Sequence, residues 1–236
     1  MAFFHIHFHQ PLFLVALAIV LISLGIATVL TARQRIQQLR ATGPTFAQHS
    51  FTHSAVALCT VPIALTTYAF LISRYTMSTL IAFGVISFVA GLFYVSLIDL
   101  DTHLLPWRDT WIITFVPIIT FSIDAIMDGR ASVIFTMLLI AVMVWAVFRV
   151  VELLTRGAMG GGDVMLAASI GAVLGRFGMS TMLRAFIYSF VIAGVVSMIL
   201  LLTKRAQRST NIAFGPYLAL GALVVLSTMR TVPQAV

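Results

Sequence analysis

The stretch MSTLIAFGVISFVAGLFYVSLI, Met77–Ile98, carries no charged residue and runs straight into Asp99. A helix of that length rises about 33 Å, enough to cross a hydrocarbon core of about 30 Å. Its apolar residues do not alternate with period two, and an open strand would leave unpaired backbone groups in lipid. The segment therefore reads as a transmembrane helix with an acid at its boundary. Comparable uncharged runs flank it at Pro11–Thr31, Ser54–Ile72, Ala131–Phe148, Ala185–Thr203 and Ile212–Met229. Two further runs are interrupted or short. Trp111–Ile126 holds Asp124 near one end, and Val164–Gly175 follows the uncharged stretch Gly157–Gly162. Counting all of them predicts an all-α, polytopic transmembrane bundle of about eight spans, without internal repeats.

The composition agrees. Apolar residues make up 61% of the 236 positions and charged residues only 9%, with a mean hydropathy of +1.08. A water-soluble surface needs roughly 25% charged residues. The lipid bilayer is thus the expected surroundings, and the net charge of +7 marks topology rather than nucleic acid. Cys59 is the only cysteine, which excludes an internal disulfide and a cysteine-based zinc cluster. His5, His7 and His9 precede the first run, read here as a ragged lead-in and not as a metal clamp; no metal or cofactor is expected. Without a Lys/Arg n-region, and too long for a signal h-region, the first run is read as a retained helix.

Charge asymmetry sets the orientation. With the N-terminus outside the cytoplasm and eight spans, the cytoplasmic loops carry Arg33, Arg35, Arg40, Arg108, Arg149, Arg156, Lys204, Arg205 and Arg208. The opposite side carries Arg74, Arg130, Arg176, Arg184 and Arg230. Nine against five favours this arrangement. The longest loop, roughly 32–53, is then cytoplasmic.

Only seven acids exist in the chain, and an ionisable group at a membrane edge is a functional candidate. Asp99 and Asp101 close the Met77–Ile98 run, in Leu97-Ile98-Asp99-Leu100-Asp101-Thr102-His103-Leu104-Leu105-Pro106. Asp163 follows Gly160-Gly161-Gly162. Two complete spans separate Asp99 from Asp163, so both emerge on one face, the cytoplasmic one. Two carboxylates held together share a proton, and the pair can activate water with one oxygen while protonating a carbonyl with another. Without Cβ atoms, Gly160–Gly162 can adopt positive φ and let a substrate backbone approach Asp163 closely. The same acids could instead be helix caps or bind cations in a transporter. Asp109 reads as a cap of the fourth helix, Asp124 and Asp128 as far-face residues, Glu152 as a partner of Arg149 or Arg156, and His103 as a solvated loop residue.

At these residues the sequence resembles the bacterial type IV prepilin peptidases, membrane aspartyl proteases with a Gly-x-Gly-Asp motif. Gly160-Gly161-Gly162-Asp163 with Met165-Leu166 and Gly171-Ala172-Val173-Leu174-Gly175 resembles the second catalytic segment of that family. Leu97–Thr102 with Leu104-Leu105-Pro106 and Thr110 resembles the first, and Phe214-Gly215-Pro216-Tyr217-Leu218-Ala219 with Gly221-Ala222 resembles its C-terminal helix. The resemblance runs from about Met77 to the end of the chain. It implies that Asp99 and Asp163 are the catalytic pair, with Gly160, Gly161, Gly162, Asp101, Pro106, Gly215 and Pro216 shaping the site. Asp101, two residues on, would point about 200° from Asp99 on a continuing helix. Met165 stands where family members commonly have Lys, and Trp107 where Asp or Asn is usual. The Cys-x-x-Cys pairs of bifunctional members are missing, so the resemblance supports peptidase action and not N-methylation from S-adenosylmethionine.

The expected protein is thus a short-form endopeptidase of a bacterial inner membrane, multi-pass, with its site facing the cytoplasm. Its expected partners are type IV prepilins or pseudopilins, whose short basic leader it would remove. Residues 1–76 form a two-helix region with a short basic loop, and residues 77–236 a six-helix peptidase core. The rival readings are a cation- or proton-coupled transporter and an inactive scaffold for pilus assembly.

Overall fold

Where the sequence lacks charge for about 20 residues, only a helix satisfies its own backbone in lipid, and helices are what form. The computed structural model describes residues 11–42, 78–155, 159–203 and 213–228, with the side chains of the first helix described from 19 to 41. Among the described residues there are seven helices and no strand: α1 Pro11–Thr42, α2 Thr79–Thr102, α3 Trp107–Met127, α4 Ser132–Leu154, α5 Gly161–Gly175, α6 Met179–Leu202 and α7 Gly215–Thr228. Five are long and apolar enough to cross a membrane, namely α1 through α4 and α6, while α5 and α7 are shorter apolar helices. The Ser54–Ile72 run, the three N-terminal histidines, Cys59 and the basic stretch Lys204–Arg208 lie outside the described residues.

One boundary differs instructively from the hydropathy reading. The apolar run ends at Thr31, yet α1 continues through the basic segment to Thr42. Arg, Gln, Leu and Ala are all good helix formers. Ala32 and Ile36 are fully buried while Gln34, Gln37 and Gln38 face outward, so this extension is amphipathic, not a loop.

Two helices form the interior. α2 packs against α1, α3 and α7, and α5 packs against α3, α4, α6 and α7. From Leu166 to Gly175 nearly every residue of α5 is buried. By contrast α4 and α6 turn Phe135, Leu138, Val142, Phe190, Val191 and Met198 outward, as bilayer-facing helices require.

Close approach rests on small residues, as is usual between membrane helices. A Cβ on Gly91 would meet Ile113 of α3, and one on Gly171 would meet Val144 of α4. The tightest contact joins α7 to α6, where a Cβ on Gly221 would overlap Ser189 Oγ and the Ala185 carbonyl oxygen. Backbone cannot yield as a side-chain tip can. Gly221→Ala should therefore destabilise the protein by about 1–3 kcal/mol through overpacking, read as a lower melting temperature in detergent. Gly194→Ala on α6, with open space around it, should leave the melting temperature unchanged.

Candidate active site

Chain alternation brings the C-terminus of α2 and the N-termini of α3, α5 and α7 to one end of the bundle. α2 stops there for local reasons. His103 takes a left-handed conformation, φ 48°, with its amide donating to the Asp99 carbonyl. Pro106 then excludes helix at Leu105 and itself stands as the N-cap of α3.

Asp99 projects from the last turn of α2 and is 4% exposed. A carboxylate at a helix C-terminus faces the negative end of its own dipole. The compensating partner is the start of another helix: the Gly215 amide at the head of α7 donates to Asp99 Oδ2 at 2.9 Å. Pro216 follows in the same first turn, where its missing N–H costs nothing. A Cβ on Gly215 would stand 2.7 Å from the same Oδ2. Glycine is thus required there by space.

Asp163 occupies the first turn of α5, at the positive end of that dipole. It is half-buried, and its carboxylate faces Gly160, the N-cap of the same helix, whose Cβ would stand 3.6 Å from Asp163 Oδ2. Asp99 is the carboxylate with which it interacts electrostatically. The two acids named from the sequence therefore lie within electrostatic reach of each other, each beside a glycine at a helix start.

The glycine run serves this arrangement through proximity. Gly160 is the extended N-cap, with φ −73°, and none of Gly160, Gly161 and Gly162 takes positive φ. A Cβ on Gly162 would overlap the Leu105 carbonyl, so this glycine lets α5 start against the α2–α3 turn. Gly161 lies against Glu152, whose Oε1 would be 3.5 Å from its Cβ. Asp101, on the opposite side of α2 from Asp99, is also buried and is itself partnered.

The remaining acids have structural partners. Asp109 is not a cap: it is buried and accepts from Arg35 Nε at 3.0 Å. This pair ties the basic end of α1 to the start of α3 and borders a cavity of about 270 Å³ lined by Thr28, Thr31, Gly91, Tyr94 and Ile112. Glu152 pairs with Arg149 on α4, and Asp128 with Arg130. His103 is exposed. Leu105 and Glu152 are the neighbours that sequence reading did not place at the glycine run. Glu152 sits only one turn before its helix ends, which was a usable signal; for Leu105, whose contact is through its carbonyl, none existed. Among the described residues no group of three His, Cys, Asp or Glu is placed to hold a metal ion.

Residues 86–198 match the Type IV leader peptidase family. The chain is 30% identical over 141 residues to a prepilin leader peptidase/N-methyltransferase of Pseudomonas aeruginosa, covering 58% of this chain and 46% of the relative. It is 34% identical over 148 residues to one of Xanthomonas campestris pv. campestris, covering 61% and 49%. Against one of Bacillus subtilis it is 29% identical over 142 residues, covering 60% and 54%. The chain spans about half the length of the curated relatives it matches. No solved structure matches it significantly.

Proposed function

Because residues 86–198 of this chain belong to the type IV leader peptidase family, we propose that it is a membrane endopeptidase that removes the leader of type IV prepilins or pseudopilins. The observation that supports the aspartyl mechanism is that buried Asp99 and half-buried Asp163, from different helix ends, lie within electrostatic reach of each other. The peptidase core is residues 77–236, with residues 1–76 as an attached N-terminal region.

The chemistry needs one proton shared between two acids. The ionised carboxylate takes a proton from water as its oxygen attacks the scissile carbonyl. The neutral carboxyl gives its proton to the carbonyl oxygen, producing a tetrahedral diol. As the C–N bond breaks, the first acid returns its proton to the departing nitrogen and the second recovers one from the diol. Atoms and charge balance without a cofactor. The Gly215 amide holds the Asp99 carboxylate in place throughout, which matters because a 1 Å displacement can cost about 10²-fold in rate. The proposal covers peptide hydrolysis and not N-methylation, since Cys59 alone cannot supply paired Cys-x-x-Cys motifs.

The basic segment of α1, through Arg35 and Asp109, belongs to the same end of the bundle as the dyad. Positive charge marks the cytoplasmic side, which supports cleavage there, in a bacterial inner membrane. In a Cys59→Ala background, His103→Cys should react with an impermeant thiol reagent from the cytoplasmic side only, and Ala131→Cys from the opposite side only. Labelling of both from one side overturns the topology.

Asp99→Asn and Asp163→Asn should each lower prepilin processing by about 10³-fold or more, with the double change no worse than either, as for residues sharing one step. Asp101→Asn should retain substantial cleavage. Loss of the leader from a coexpressed prepilin is the readout, after membrane fractionation confirms insertion. Near-normal processing by Asp163→Asn would turn the reading to a transporter or scaffold. Gly215→Ala, which pushes on Asp99 Oδ2, should lower kcat by about 10- to 100-fold with little change in KM.

A further inference from the structure

Asp124 lies at the end of the bundle away from the dyad. It is 4% exposed, and Arg176, the C-cap of α5, is 2% exposed. Arg176 Nη2 donates to Asp124 Oδ2 at 2.8 Å. The other oxygen, Asp124 Oδ1, accepts from Ser78 Oγ, and Ser78 is the N-cap of α2, its Oγ in turn accepting the Ile81 amide at 3.2 Å. One carboxylate on α3 thus ties together the far ends of α2 and α5. Those are the two helices whose near ends carry Asp99 and Asp163.

As a source of stability this cluster is a poor choice. Burying a charge pair costs desolvation that the mutual attraction seldom exceeds, and Arg176 Nε has no hydrogen-bond partner. What it supplies, and apolar packing does not, is direction: a donor and an acceptor meet at one axial position only. α5 needs such a stop. Its 15 residues rise about 22 Å, short of a hydrocarbon core of about 30 Å, so hydropathy does not fix its depth. Its other polar link to α3 is the Thr114–Ser169 hydrogen bond at 2.7 Å, and at its head Gly162 abuts Leu105.

We propose that Asp124, Arg176 and Ser78 are positioning residues, a far-end lock that sets the axial register of α5 against α2 and so the placement of Asp163, about 20 Å along α5 from Arg176, relative to Asp99, about 30 Å along α2 from Ser78. This rests on the aspartyl-dyad reading for its catalytic consequence. Its structural consequence stands apart from that reading.

The test uses the full chain in proteoliposomes and two variants. Ser78→Ala removes the link to α2 while keeping the ion pair. The double variant Asp124→Leu, Arg176→Met replaces the pair by apolar side chains, which buried pairs commonly tolerate without loss of stability. Both should insert normally. kcat for prepilin cleavage should fall about 10-fold or more in the double variant and several-fold in Ser78→Ala, with KM within about twofold of wild type. Independently of activity, hydrogen exchange of the first amides of α5 that are bonded within the helix, at residues 165–168, should quicken in both, while α6 keeps its protection. Unchanged kcat and unchanged exchange in both variants overturn the lock and leave the dyad standing. If wild type cleaves no prepilin, the dyad reading fails and the exchange measurement alone decides the lock. If the double variant does not insert, Ser78→Ala decides.

Discussion

The amide of Gly215 donating to Asp99 is the contact on which the arrangement of the site depends. A carboxylate at a membrane edge has lost water and needs donors. The first turn of a helix has amides with no partner inside the helix. Each deficit answers the other, and neither requires a cation. Asp163 likewise stands at a helix start, in the first turn of α5 beside the N-cap Gly160. Two acids can therefore stand near each other at helix starts, while Arg35, Arg130, Arg149 and Arg176 pair with other acids. Met165 beside Asp163 adds no charge to the pair.

Glycine makes this geometry possible by leaving out atoms. At Gly215 a Cβ would press on the carboxylate, and at Gly162 it would overlap the Leu105 carbonyl. Neither residue has positive φ. The positive-φ glycines, Gly129 and Gly178, lie in the far turns with open space around them, and there conformational freedom is the reason. The same residue type thus has two physical roles in this chain, divided by position along the membrane normal.

How much could be read from the sequence follows from the range of each signal. Hydropathy is a property of one segment, so the spans of α2, α3, α4 and α6 were legible, and the two crossings between Asp99 and Asp163 put both acids at one end of the bundle. Long-range pairing was not legible. Asp109 and Arg35 are 74 residues apart, and Asp124 and Arg176 are 52 apart. Nothing local distinguishes these acids from caps or loop residues. The extension of α1 beyond Thr31 was hidden for a different reason, since positive charge marks the end of a span but not the end of a helix.

For the proposed endopeptidase, the short length of α5 bears on how a substrate would reach Asp99 and Asp163. Its far end is fixed by Arg176, and 15 residues rise only about 22 Å. Its head, with Asp163, then lies below the level a full span of about 30 Å would reach. Asp163 is half-buried and Asp99 nearly fully so, which agrees with a recessed site. A peptide bond inside a substrate helix is shielded by its own hydrogen bonds, so a recessed dyad favours cleavage at the end of a membrane helix, where a local break exposes one carbonyl. Depth and the pairing of acids are then two aspects of one constraint on the proposed endopeptidase: its reaction would be carried out on main chain at the edge of lipid.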